Sequence, residues 1–243
     1  SVCLAGNALI LGGTEEQKKE HLPGIAEGTT IGTLAYMESN GRPDPSGIET
    51  LARRDGGDFI LNGAKSFVLD GHSAGLLVVA ARRAESSGEE GISLFVVPSD
   101  APGLERRLLP TMDQTRKQAE LALQDVRLPA SALMGEEGEG FRTLRDTLDL
   151  AAIALAAEQV GGAQRCLDMS VEYAKERVQF GRPIGSFQAI KHKCANMMVE
   201  VESARSASYY AGWAAAEGTD DLPVAAALAK AFCSDTYFRC AAE

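Results

Sequence analysis

Tryptophan occurs once in this chain of 243 residues, histidine three times and cysteine five times. The thiols of Cys3, Cys166, Cys194, Cys233 and Cys240 form no Cys-x-x-Cys pair, and their odd number closes no disulfide framework. His21, His72 and His192 stand too far apart for metal-ligand spacing. Together these absences exclude a zinc-ribbon or disulfide-stapled fold and fit free thiols in a reducing cytoplasm. No apolar run reaches the roughly 20 residues that a membrane span needs, and no signal-peptide pattern opens at residue 1. Lysine and arginine do not cluster, and the net charge is −10. That excludes the concentrated positive patch of a nucleic-acid binder and a polybasic membrane tether.

What is present is an ordinary globular composition, 45% hydrophobic and 24% charged. Residues 1–12 carry an apolar helical pattern halted by Gly12-Gly13. Thr14-Glu-Glu-Gln17 has the form of a capping box, opening a short helix expected to end before Pro23. From Thr30 the period shortens. Thr33–Met37, Phe59–Leu61, Lys65–Leu69, Gly75–Ala81, Ile92–Val97 and Glu120–Gln124 read as strands, with Asn62-Gly63 as the turn between the second and third. Strands this short and close in sequence predict a small all-β barrel or sandwich.

After the Gly135–Gly140 linker the helical period takes over, with Phe141, Leu144, Leu148, Ala151, Ala152 and Leu155 recurring at three and four residues. It runs to Phe180, interrupted only by Gly161-Gly162, which we read as room for a close helix. A second long helix covers roughly Phe187 to Glu217, with Ile190, Cys194, Met197, Met198, Val201 and Ala204 on one face. Met197, Met198 and Trp213 are expected to fill the core. Gly218 stops that helix, and Pro223 suits the start of a third. Short connections between long helices predict antiparallel neighbours in a bundle.

One junction carries chemistry. In Tyr173–His192, Gly181 and Pro183 break the helical pattern, Ser186 is a candidate N-cap, and Arg177 and Gln188 project toward one corner. A guanidinium and an amide there suit a phosphate-bearing ligand; alone, Arg-x-x-Phe-Gly would equally fit an αα-corner in which Arg177 caps its own helix. As a whole the stretch resembles the signature of the acyl-CoA dehydrogenase family of flavoenzymes. The resemblance extends over nearly the whole chain and implies an α+β fold. Residues 1–28 would be the end of an N-terminal helical domain that is mostly absent, residues 29–134 a middle β-domain, and residues 135–243 an incomplete C-terminal helical bundle. The sequence thus reads as part of a longer chain.

The resemblance further implies FAD, an acyl-CoA substrate, and a flavin lying between two subunits. Arg177, Val178, Gln179, Phe180 and Gln188 would reach across to the partner's FAD. Met37, Phe67, Val68 and Leu69 would line the chain's own pocket, and Asp149 would face substrate. Here the sequence departs from the family. Met37-Glu-Ser-Asn-Gly-Arg-Pro43-Asp44 stands where Thr-Glu-Pro-Gly-x-Gly-Ser-Asp is usual, Phe67-Val68-Leu69 where Trp-Ile-Thr is usual, and Ala152 where an arginine is usual. The catalytic base is missing: one family position falls on Ala151 and the other beyond Glu243. Glu158, two turns further along, reads as a solvated or subunit-facing residue.

Losses gathered in one pocket beside an intact exported corner imply a heteromeric subunit that completes its partner's flavin site. Met112-Asp-Gln-Thr-Arg116 and the alanine-rich bundle resemble the actinobacterial heteromeric subgroup of steroid side-chain breakdown. The alternatives are a homotetramer with its own FAD, a related oxidase or flavin monooxygenase, and a structural subunit that touches no flavin.

Overall fold

The computed structural model describes residues 1–243. The chain divides into two compact units, Ser1–Leu148 and Asp149–Glu243. No helix is long and apolar enough to cross a membrane.

The first unit opens with a π-helical turn, Val2–Gly6, running into α1 (Asn7–Gly12), followed by α2 (Glu15–Ala26). Thr14 and Gln17 form the expected capping box, each side chain bonding the other's backbone N–H. Pro23 does not end α2 but lies within its last turn. There its missing N–H forfeits a single helical bond, and its own carbonyl still accepts from Glu27.

The strands are β1 (Gly32–Ala35), β2 (Leu51–Asp55), β3 (Asp58–Leu69), β4 (Leu76–Arg83), β5 (Ile92–Pro98), β6 (Leu104–Leu108), β7 (Gln118–Pro129) and β8 (Leu133–Met134). They form one eight-stranded sheet in the order β6-β7-β3-β2-β4-β5-β8, with β1 parallel to the first half of β4. β4 and β5 are buried along nearly their whole length because both of their faces are covered. Leu77, Val79 and Ala81 point into a core shared with Phe59, Leu61, Leu121 and Leu123, so the sheet curls over its own inner face. The alternate residues Leu76, Val78 and Ala80 pack on Ala5, Ala8, Leu9 and Leu144 from the helical segments.

Asn62-Gly63 is not a hairpin turn. β3 runs unbroken through it, with a register shift between Leu61 and Gly63. The Asn62 amide pairs with Asp125 in both directions, donating to its carboxylate and accepting from its N–H, which ties the bulge to β7. Gly63 has φ +152, and a Cβ there would sit 2.7 Å from Thr50 Cα. The true reversal is the two-residue Gly56-Gly57 loop joining β2 to β3, flagged in sequence by Asp-Gly-Gly-Asp. Gly63→Ala should therefore lower stability by about 1–3 kcal/mol, the usual cost of overpacking, seen as a reduced urea midpoint. Gly57→Ala, with nothing within 4 Å of its Cβ, should leave the midpoint nearly unmoved; equal effects would remove the steric account.

The second unit holds most of α3 (Gly140–Glu176), a hairpin of β9 (Val178–Gln179) and β10 (Arg182–Pro183), α4 (Gln188–Glu217) and α5 (Leu222–Ala242). Alanines let the three helices approach closely: Ala156, Ala204, Ala211, Ala225 and Ala229 share one core with Val160 and Cys233. Gly161-Gly162 lies inside α3, and a Cβ on Gly162 would meet the Tyr237 ring at 2.7 Å, so Gly162 makes room for a neighbouring helix, as the sequence suggested of the pair, whereas Gly161 faces open space. Gly218 ends α4 in the left-handed conformation, and Pro223 stands in the first turn of α5.

Three further expectations need correction. Ser186 is not the cap of α4; it closes a 3-10 turn, Ile184–Ser186, and Phe187 takes the cap position without a side-chain bond. Met198 is 59% exposed, one residue off the buried seam of Met197, Val201 and Ala204. Trp213 is 52% exposed and packs beside Tyr210 rather than filling the core.

Candidate functional site

The exported corner is a β-hairpin. Phe180 and Gly181 form its two-residue loop with φ +55 and +78, the sign of a type I′ turn at both positions. Glycine adopts this conformation freely, whereas an aromatic residue does so at a cost. Phe180 is moreover 92% exposed. The hairpin is locked to its own unit from below, because the Ile184 N–H donates to the Arg177 carbonyl at 2.8 Å. The Arg182 guanidinium covers the Phe187 ring at 4.2 Å, and Phe187 meets Phe180 edge-on with centroids 6.0 Å apart. Arg177, Val178, Gln179 and Gln188 are all exposed around this turn, and Arg177 makes no ion pair. The corner thus presents a free guanidinium, an amide and a bare ring, a donor set that fits a diphosphate joined to a flat heterocycle.

In the first unit, the backbone brings together Met37, Phe67, Val68 and Leu69. The Ser66 N–H donates to the Met37 carbonyl at 2.9 Å. A second register shift in β3, between Lys65 and Val68, coincides with φ +58 at Phe67, whose ring is half exposed. Val68 is buried, and the Leu69 carbonyl accepts from the Thr33 hydroxyl at 2.6 Å. This surface offers an aromatic ring but no side-chain hydroxyl at positions 37, 43 or 69. Asp149, Ala151 and Ala152 lie half-buried on α3, and Glu158 is exposed further along it.

Beneath Met37 and Phe67 lies a group that the sequence reading passed over. Lys65 is fully buried, and its Nζ donates to Glu38 Oε1 at 2.6 Å. Extending the inward alternation of Phe59 and Leu61 by two steps twice would have pointed Lys65 inward and exposed the need for a buried partner. The same Glu38 oxygen accepts from the Glu49 N–H, the Thr50 N–H and the Thr50 hydroxyl at 2.8–3.0 Å. Burial alone would raise the Glu38 pKa, but the charge and hydrogen bond of Lys65 and the Thr50 donors outweigh it, so the carboxyl titrates below its usual range. Burial lowers the Lys65 pKa from the usual 10.5 to about 8, against the pull of Glu38 and with a small push from Arg82.

Between pH 8 and 10.5 the unfolded chain therefore holds a proton that the folded chain has released. Stability from this group rises with pH across that window, by up to about 1.4 kcal/mol per pH unit. Urea unfolding of the protein and of Lys65→Met from pH 7.5 to 10 should show the native curve gaining on the variant. Parallel curves would mean that Lys65 is hydrated rather than desolvated.

Comparison with known proteins agrees with this layout. The family model for the acyl-CoA dehydrogenase middle domain matches residues 33–126, and that for the C-terminal domain matches residues 138–243. A short-chain-specific acyl-CoA dehydrogenase of Megasphaera elsdenii is 38% identical over 100% of this chain and 64% of its own length. A probable acyl-CoA dehydrogenase of Bacillus subtilis is 38% identical over 98% of the chain and 63% of its own. The structure of butyryl-CoA dehydrogenase from Megasphaera elsdenii superposes with a TM-score of 0.95 at 38% identity, covering 100% of this chain and 64% of that one. The chain spans slightly less than two thirds of the length of these relatives.

Proposed function

The chain belongs to the acyl-CoA dehydrogenase family, and on that footing we propose that it is part of an FAD-dependent oxidoreductase that forms the α,β double bond of an acyl-CoA thioester. The observation that carries this reading is the hairpin that holds Phe180 bare to solvent at a positive φ. Backbone strain of this kind persists where a partner or ligand makes use of it. Bound FAD would supply the acceptor for the substrate's Cβ hydride. Arg177 would pair with the FAD diphosphate in a neighbouring subunit, Phe180 would pack on the cofactor, Gln188 would hydrogen-bond it, and Val178 and Gln179 would set the height of the turn. Met37, Phe67, Val68 and Leu69 would form the chain's own ring-facing surface, and Asp149 would face substrate. Assembly is further supported by apolar side chains left bare on α4 and α5, among them Tyr209, Trp213, Leu228 and Phe238.

The finer reading is that this chain is the partner subunit of a heteromer. Pro43 has neither hydroxyl nor N–H to offer a phosphate, Leu69 has no donor for a flavin ring, and Ala151 accepts no proton. A homologous second chain would supply these groups, the base, and the pocket that this chain's corner completes. The exposed Met112 segment and the alanine-rich helices support the steroid-type subgroup. One observation favours a second reading, a homotetramer in which backbone groups hold the chain's own FAD: the frame under Met37 and Phe67 is fully built. Flavin per chain separates the two, near one half for the heteromer and near one for the homotetramer.

A further inference from the structure

The buried Lys65–Glu38 pair is a costly way to fill space. Removing two charges from water is repaid only by good geometry and further hydrogen bonds, and an apolar pair of similar volume commonly serves stability as well or better. Its position in the chain suggests what it does. Glu38 directly follows Met37, and Lys65 stands two residues before Phe67, so the pair joins the two segments that the reading above places against the flavin ring. The Ser66 N–H to Met37 carbonyl bond runs beside it. The Lys65 ammonium also approaches the Tyr36 carbonyl at 3.4 Å.

Four donors converge on Glu38 Oε1, three of them from Glu49 and Thr50 at the far end of the loop that begins at Glu38. The loop's middle is held by a second buried cation. Arg82 donates to the carbonyls of Pro45, Ile48, Ser86 and Gly88. The tip, residues 39–44, is exposed throughout, whereas Gly47, Ile48 and Thr50 behind it are buried. Immediately after Lys65, β3 slips register and Phe67 adopts a left-handed conformation that a bulky residue disfavours.

We propose that the Lys65–Glu38 pair is the positioning element of the ring-facing surface, fixing the Met37 loop against the Phe67 bulge so that the Phe67 ring is presented at a set depth. This rests on the second reading above, in which the chain's own surface holds FAD against Phe67. Lys65 and Glu38 act through Phe67 and Met37, and neither touches the ligand.

The test compares the assembled full-length protein with Glu38→Leu/Lys65→Met, with Lys65→Met alone and with Thr50→Val. Readouts are amide exchange by segment, flavin affinity, and the fluorescence anisotropy of an indole reporter introduced by Phe67→Trp in a Trp213→Phe background. The double variant should keep its melting temperature within a few degrees. Amides of residues 37–50 and 65–70 should exchange at least tenfold faster, the reporter should gain local motion, and flavin should bind at least tenfold more weakly. Lys65→Met should loosen 65–70 while sparing 49–50, because Glu38 keeps its Thr50 donors. Thr50→Val, which removes one Glu38 donor and leaves both charges paired, remains readable if these variants fail to fold and should speed exchange at 37–38 and 49–50. Unchanged exchange and anisotropy in the variants that fold would overturn the proposal. Faster exchange with unchanged flavin affinity would instead overturn the assignment of Phe67 to the flavin, and with it the purpose given to the pair.

Discussion

Arg177→Ala is expected to empty the assembled protein of FAD while leaving the fold untouched. Arg177 is exposed and makes no ion pair within its own chain, so its removal should change stability by no more than about 0.5 kcal/mol, as for other surface sites. The proposed role is different in kind. A guanidinium closed against a diphosphate at a subunit junction is desolvated, and truncating one partner of such a pair costs about 2–5 kcal/mol. At about 1.4 kcal/mol per decade, flavin affinity should fall by a factor of roughly 30 to several thousand. Arg177→Lys should recover part of it, since an ammonium keeps the charge but loses the two-pronged fork. The checks are visible flavin absorbance after gel filtration and a titration with added FAD. Normal flavin content in Arg177→Ala would show that the guanidinium caps its own helix and nothing more.

The features legible in the sequence share a physical character. The capping box at Thr14, the stop at Gly218 and the start at Pro223 are local: each is decided by backbone dihedrals and donors within a few residues. The switch from strand to helix periodicity was legible for the same reason, and so was the overall class of a β-sheet unit with a helical bundle. Pro23 and Ser186 were misread locally, by one helical turn and one 3-10 turn, but the other misreadings depended on the tertiary setting. Asn62-Gly63 has the composition of a turn, yet Asp125 and Thr50 decide that it is a bulge. Met198 and Trp213 have the chemistry of core residues, yet α4 turns them outward. β2, β6 and β8 escaped notice because they are short or polar strands held mainly by pairing with neighbours.

The candidate site divides along the same line. The corner was visible as a run of adjacent residues, and the hairpin places Arg177, Phe180 and Gln188 on one exposed edge of the second unit. The frame under Phe67 was not visible as a run, because Glu38 and Lys65 lie 27 positions apart. Its signal was a lysine at an inward position of a strand, which calls for a buried carboxylate without saying which one.

Purified alone, the full-length chain is expected to be nearly colourless and inactive, and to become yellow and active only with a homologous partner, at about one flavin per two chains. The expectation follows from groups absent at named positions. Met37 and Leu69 offer no hydroxyl to a ring, Pro43 offers no donor to a phosphate, and Ala152 replaces a cation. Each lost neutral hydrogen bond weakens binding by about 0.5–1.5 kcal/mol, and one to a charged group by about 1.5–3 kcal/mol. Two neutral losses and one charged loss sum to roughly 2.5–6 kcal/mol, or about two to four decades in affinity. Ala151 adds a separate deficit, since without a positioned base the proton-transfer step forgoes about two to four decades in rate. Restoring the donors by Pro43→Ser with Leu69→Thr should then raise the flavin content of the isolated chain, because the frame that shapes those positions is already built. It should not restore turnover, because no base has been returned. A yellow, active homotetramer with one flavin per chain would defeat the heteromer and leave backbone donors as the groups that hold the ring.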